Sequence, residues 1–185
     1  MNFDLGCATT RMPELKDVEE IYRYRNDDDV YVSLGGVFHG MSRENVKEWI
    51  NFHNHNEKDH VWVIVDKVSD KCVGHLGLYQ IDFRNGKAEI GIAIAKEYWG
   101  KGIGKLAYKE ILNYAFNQLN LNRVETFNLA SNKKIIHIKQ KFGFQIEGIM
   151  RQVLFKNGQY QDKMIMAILK SEYIALQNLN SQNSK

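Results

Sequence analysis

The sequence predicts a mixed α+β fold: a central, mostly antiparallel, twisted sheet flanked by helices. Three observations carry that expectation. Three β-patterned runs, 61–65, 72–82 and 87–95, follow one another through tight polar connections, as in an antiparallel meander. The last of them leads into Trp99-Gly100-Lys101-Gly102-Ile103-Gly104, three glycines spaced two apart, and a helical pattern begins at once. The next strand-like run, 123–130, lies one helix further on, so the strands on either side of that helix should be parallel neighbours.

Taken in order, residues 3–11 alternate Leu5, Cys7 and Thr9 and read as a first strand. Pro13 suits the first turn of a helix, and Leu15, Val18, Ile21, Tyr22 and Arg25 continue it at helical spacing over 14–25. Asn26-Asp27-Asp28-Asp29 ends that helix. The three aspartates read as a solvated turn, with attraction of a cationic acceptor as the alternative. Residues 30–40, with Gly35, Gly36 and His39, read as an irregular loop. Ser42 is an N-cap for a second helix through Val46, Trp49, Ile50 and His53. His53, His55 and His60 match no common metal spacing and read as a solvated loop, so no metal site is expected.

Asn85-Gly86 marks a hairpin between the second and third meander strands. After the glycine loop, Ile103, Leu106, Ala107, Ile111, Tyr114 and Ala115 give the central helix an apolar stripe to about residue 119. Asn132 caps a short helix over 133–141, which Gly143 stops. Residues 145–151 and 152–156 read as strand, Asn157-Gly158 as a second hairpin turn, and 160–169 as the last strand. A frayed helix over 171–179 closes the pattern.

With 185 residues, 44% hydrophobic and 25% charged, the chain reads as one domain over 1–176 and a polar, disordered tail over 177–185. A net charge of +3 and the lack of a Lys/Arg run interleaved with aromatics argue against a nucleic-acid partner. No apolar run of membrane length and no leader peptide are read, and the two dispersed cysteines, Cys7 and Cys72, suit a reduced, cytoplasmic setting.

The glycine loop is the chemical centre. Strand, glycine loop and helix place free backbone N–H groups and the positive end of a helix dipole at one point, which suits a phosphate or pyrophosphate. A plain tight turn is the competing reading. Two nucleotide loops fail on spacing: Leu106 follows Lys105 where a Walker loop needs Ser or Thr, and three antiparallel strands precede the loop where a dinucleotide fold would have an early βαβ unit.

These motifs together resemble the GNAT superfamily of N-acetyltransferases. Trp99 to Gly104 resembles its cofactor loop, although Trp99 departs from the usual Gln or Arg. Residues 132–144 resemble its Asn-led helix ending in Gly143-Phe144. Residues 156–162 resemble the hairpin of the branch containing ribosomal-protein N-terminal, spermidine and amino-sugar acetyltransferases. The resemblance implies acetyl-CoA as co-substrate and a sheet with the cofactor loop between the fourth strand and the central helix. It implies cofactor contacts from Ile92, Ile94, Trp99, Gly100, Lys101, Gly102, Ile103, Gly104, Lys105, Asn132 and Lys139.

Lys139 falls where the family carries a tyrosine, the usual proton donor to the departing thiolate; Tyr98, Tyr108 and Tyr160 are other phenols in the chain. Glu89 interrupts an apolar strand just before the loop and is the candidate base; pairing with Lys87 or a solvated face is the competing reading. His75 and Tyr79 share a strand face and, with Arg25 and His39, are candidates to contact the acceptor, though a satisfied sheet histidine competes for His75. The segment 21–26 resembles the Arg-Asn helix end of amino-sugar acetyltransferases. A small-molecule amine, first an amino sugar linked to a nucleotide, is therefore the expected acceptor, with a polyamine, a ribosomal-protein N-terminus or non-catalytic acyl-CoA binding as alternatives. A homodimer is left open.

Overall fold

The computed structural model describes residues 2–34 and 40–182, so His39 and the Gly35-Gly36 pair lie outside the described residues. Among the described residues, one sheet contains β1 (Ala8–Arg11), β2 (His60–Asp66), β3 (Cys72–Asp82), β4 (Lys87–Ile94), β5 (Arg123–Leu129), β6 (Gln145–Lys156) and β7 (Gln159–Leu169). Its order is β1-β2-β3-β4-β5-β7-β6. Only β4 and β5 run parallel; every other pair is antiparallel. The helices are α1 (Val18–Arg25), α2 (Asp28–Ser33), α3 (Arg43–His55), α4 (Ile103–Asn113), α5 (Lys133–Lys141) and α6 (Lys170–Gln182).

Strand parity sends side chains to two cores. Trp62 and Ile64 pack on one face with Leu76, Leu78 and the α4 stripe Ile103, Ala107 and Ile111. Val63 and Val65 pack on the other with Ile21 and Tyr24 of α1 and Val46 and Ile50 of α3. The β2 run 61–65 is therefore buried on both sides, which explains its unbroken β-branched and aromatic character.

The pairing of β4 with β5 is short. It registers Lys87 with Arg123, Ala88 with Val124 and Glu89 with Glu125, and then stops. Beyond it the Thr126 hydroxyl donates to the Ile90 carbonyl at 3.4 Å, a long bond in place of a continued ladder. The sheet is thus split just past Glu89.

Several sequence expectations change in detail. Residues 3–11 are not one strand: Gly6 turns at φ +77°, and residues 3–5 fold back on β1 through Leu5 N–H to Ala8 and Thr10 N–H to Phe3. The three-aspartate segment is exposed at Asp28 and Asp29, as a solvated stretch should be, but it starts a helix where a turn was expected. The Asp27 carboxylate accepts the Asp29 and Val30 N–H groups at 2.9 and 3.1 Å, starting α2 inside the segment read as a loop, and Asp29 pairs with Lys96. Residues 145–156 form a single strand with a bulge where a break was read; Gln152 takes φ +51° and donates its N–H to Asp162. The tail read as disordered is helical to Gln182, because Tyr173 anchors α6 on the core and the Ser181 hydroxyl bonds the Gln177 carbonyl at 2.9 Å. No described helix is long and apolar enough to cross a membrane.

Candidate active site

The split between β4 and β5 opens into a cavity of ≈ 1530 Å³. Its walls come from both faces of the sheet: His75 and Tyr79 on the α1/α3 side, Tyr108 of α4 and Lys139 of α5 on the other. The cavity therefore threads the sheet through the gap.

One end is the glycine loop. Gly100 and Gly102 take φ +78° and +81°, a left-handed conformation that glycine adopts without the Cβ clash. Gly102 is the N-cap of α4 and no side chain caps it, so the Ile103 and Gly104 N–H groups are left for an outside acceptor, while the Lys105 N–H already donates to the Gly102 carbonyl at 3.1 Å. A Cβ at Gly100 or Gly102 would meet nothing within 4 Å, so the space beside the loop is open. This end fits a pyrophosphate. Trp99 folds back, its indole N–H donating to the Ile94 carbonyl at 2.8 Å. Lys101 does not line the cavity; its ammonium lies 4.1 Å from the Tyr98 ring centroid. Ile92, Ile94, Ile103, Gly104, Lys105 and Asn132 do line it. Asn132 also caps α5 through the Ile135 N–H at 3.2 Å.

The other end holds Glu89, Tyr79, His75, Arg25 and Trp49. Glu89 sits opposite Tyr79 on β3 and beside Glu125 on β5, at the last registered pair before the gap. Burial first, and then the charge of Glu125, raise its carboxyl above the usual glutamate value, against the opposing pull of Lys163 and Lys139. The competing ion pair is absent, since Lys87 pairs with Glu125 instead, at 3.6 Å. Tyr79 lies across Gly77 and Gly91; a Cβ on either would stand 2.9 Å from its ring. His75 is both a satisfied sheet histidine and a cavity residue. Its Nδ1 lies 2.7 Å from the Tyr24 hydroxyl, and burial holds its pKa well below the usual histidine value. The Arg25 guanidinium stands 5.3 Å from the centre of the Trp49 ring.

Behind this end is a pair that sequence reasoning missed. His53 Nδ1 lies 3.1 Å from Asp59 Oδ2, and both side chains are buried. Asp59 also accepts the Gln80 N–H and an Asn56 N–H, each at 2.9 Å. The three histidines diverge: His53 faces Tyr79, His60 meets the Tyr114 hydroxyl at 2.8 Å, and only His55 is solvated. The signal for His53 was its place on the apolar stripe of α3.

Lys139 lies between the two ends. It is 4% exposed, and its ammonium donates to Thr126 Oγ1 at 2.6 Å and Asn128 Oδ1 at 2.5 Å. Burial pushes its pKa down to about 7, and Glu89 opposes that shift. Of the phenols, Tyr98 and Tyr108 line the cavity, whereas Tyr160 is 67% exposed against Phe155 on the β6–β7 hairpin.

A gap that crosses a sheet, with a glycine loop and an uncapped helix start at one mouth and a half-buried carboxylate near the other, is a layout that suits a transferase. Residues 9–145 match the model of the acetyltransferase (GNAT) domain. The chain belongs to this family of acetyl-CoA-dependent N-acetyltransferases. It is 30% identical to the uncharacterized N-acetyltransferase p20 of Bacillus licheniformis over 89% of this chain and 94% of that one. It is 32% identical to the spermidine N(1)-acetyltransferase of Vibrio cholerae over 90% and 95% of the two chains. The crystal structure of spermidine N-acetyltransferase from Vibrio cholerae with CoA and spermine superposes with a TM-score of 0.82 at 29% identity, covering 91% and 98%.

Proposed function

We propose that this N-acetyltransferase acetylates a primary amine of a small molecule that reaches the thioester from the Arg25–Tyr79 side, with Glu89 taking the proton. The observation that supports this reading is the position of Glu89: it is half-buried at the point where the sheet opens, in the same cavity as the glycine loop. A carboxylate of raised pKa is a better proton acceptor than a solvated one, and an amine must lose its proton to become an amide. The first turn of α4, with Gly102 and Gly104, would hold the pyrophosphate, and acetyl-CoA would supply the activated acyl group. Ile92 and Ile94 would offer backbone contacts along the gap, and Asn132 and Lys105 would flank it.

A polyamine is the acceptor class that the relatives support, and it displaces the amino sugar that stood first from the sequence. One observation keeps a second reading. The half-buried, cavity-lining Arg25 cation suits an acceptor carrying a phosphate or carboxylate better than a polycation, so a nucleotide-linked amino sugar follows as the runner-up. The test is release of free thiol from acetyl-CoA, with mass detection of the product, across spermidine, UDP- and dTDP-linked amino sugars and N-terminal peptides. Thiol release with spermidine alone supports the polyamine; release with the sugars alone reverses the order. Binding of acetyl-CoA with no release in any arm overturns the small-amine reading and leaves an acyl-CoA-binding module.

A further inference from the structure

Lys139 is costly to keep where it is. It is a buried cation, and its hydrogen bonds go to a neutral hydroxyl and a neutral amide rather than to a carboxylate. The two acceptors are themselves oriented. The Thr126 hydroxyl spends its hydrogen on the Ile90 carbonyl, and the Asn128 amide points its NH₂ at the Met166 sulfur, 3.8 Å away, which turns lone pairs of both groups toward Lys139. An ammonium has three N–H groups, so two bonds leave one; a neutral amine has two N–H groups and one lone pair, so it keeps both bonds. The nitrogen therefore keeps both hydrogen bonds before and after it gives up one proton. That third position belongs to a side chain lining the gap between β4 and β5, on the opposite face of the sheet from Glu89.

We propose that Lys139 is the general acid that protonates the CoA sulfur as it leaves. The proposal rests on the acetyltransferase reading of the same cavity. In the step, the acceptor nitrogen attacks the thioester carbonyl carbon and a C–N bond forms. The tetrahedral intermediate then expels sulfur with the electron pair of the broken C–S bond. That pair takes a proton from the Lys139 ammonium, giving CoA thiol and a neutral lysine. The proton lost by the new amide nitrogen goes to Glu89, and solvent reprotonates Lys139. An alkyl thiol has a pKa of about 8.5, so a lysine brought down by burial gives its proton to the thiolate downhill. Other titratable groups lining the same cavity are Arg25 from α1, His75 and Tyr79 from β3, Glu89 from β4, Tyr98 ahead of the glycine loop, Lys105, Tyr108 and Lys109 from α4, Lys134 and Lys141 on α5 itself, Lys163 from β7 and Tyr173 from α6. Of these, Tyr108, whose ring centroid lies 5.7 Å from the Lys139 ammonium, is the rival donor.

The test compares wild type, Lys139→Met, Lys139→Arg and Tyr108→Phe, with acetyl-CoA and the amine that releases thiol in the panel above. Lys139→Met and Lys139→Arg should each lose about 10²-fold or more in kcat, and the alkaline limb of the wild-type kcat/KM profile should disappear in both. Arginine keeps the charge but does not donate its proton near neutral pH. An acceptor-free arm uses CoA and desulfo-CoA in calorimetric titrations. Wild type should favour CoA by about tenfold, Lys139→Arg should retain that preference and Lys139→Met should lose it. Unchanged kcat and pH profile in both Lys139 variants overturn the proposal while thiol release by wild type leaves the acetyltransferase reading standing. Loss of the alkaline limb in Tyr108→Phe alone overturns it in favour of Tyr108. If no amine in the panel releases thiol, the titrations decide: equal affinity of wild type for CoA and desulfo-CoA overturns the contact with sulfur.

Discussion

Replacing Lys139 by methionine should flatten the pH dependence of stability between pH 7 and pH 9. The folded-state pKa is about 7 and the unfolded one is 10.5. Between those values the unfolded chain holds the proton and the folded chain has released it. Stability therefore rises with pH, and the burial penalty is complete only below about 7. From half-protonated at pH 7 to almost neutral at pH 9, the lysine contributes a gain of about 2 kcal/mol. The two acceptors left behind by methionine, Thr126 Oγ1 and Asn128 Oδ1, each cost about 1–3 kcal/mol, but that cost is the same at both pH values. The slope, not the absolute stability, is the diagnostic. Urea unfolding of wild type and Lys139→Met at pH 7 and pH 9 measures it, and wild type should gain about 2 kcal/mol more than the variant. Equal gains would refute the picture of a lysine whose charge is expelled by burial.

Three other outcomes follow from the geometry. Glu89→Gln should lower kcat by about 10²-fold or more, and it should remove the acidic limb of the pH profile, which in wild type lies above the ordinary glutamate value because burial and Glu125 raise the carboxyl. Gly102→Glu should abolish CoA binding in calorimetry, since it sets a negative charge at an anion site; Gly102→Ala should cost about 1–2 kcal/mol of stability in urea titrations, because its φ is +81°. Gly91→Ala should cost about 1–3 kcal/mol by the same measurement and raise the KM for the amine, since its methyl would stand 2.9 Å from the Tyr79 ring.

Strand order and the glycine loop were legible because they are local. Period-two runs, a turn dipeptide and three glycines before a helical stripe are each written within a dozen residues. The place of Glu89 followed from the same logic, as a charge breaking an apolar strand. What escaped was set by partners distant in sequence. Asp27 reads as one of three like charges until α2 exists to be capped. His53 belongs to a histidine-rich run until Asp59 and Gln80 fold over it. Lys139 looks like a lost tyrosine, and only Thr126 and Asn128, brought beside it by β5, turn it into a group with a defined protonation chemistry. Arg25 was legible as a candidate, yet whether its charge welcomes or repels an acceptor depends on its surroundings in the cavity, among them the Trp49 ring that α3 brings beside it.

The brevity of the β4–β5 pairing has a mechanical side. Strands β1 to β4 form one leaf and β5, β7 and β6 another, joined through three registered pairs and the packing of α4 beneath them. A molecule lying in the gap touches both leaves at once and acts as a clasp. Donor binding should then register far from the cavity, as slower amide exchange across β5 and β7 and a melting temperature that climbs with CoA concentration. The gap between the two leaves is also the least paired seam of the sheet, so the enzyme's resistance to unfolding should depend in part on how much of its own substrate surrounds it.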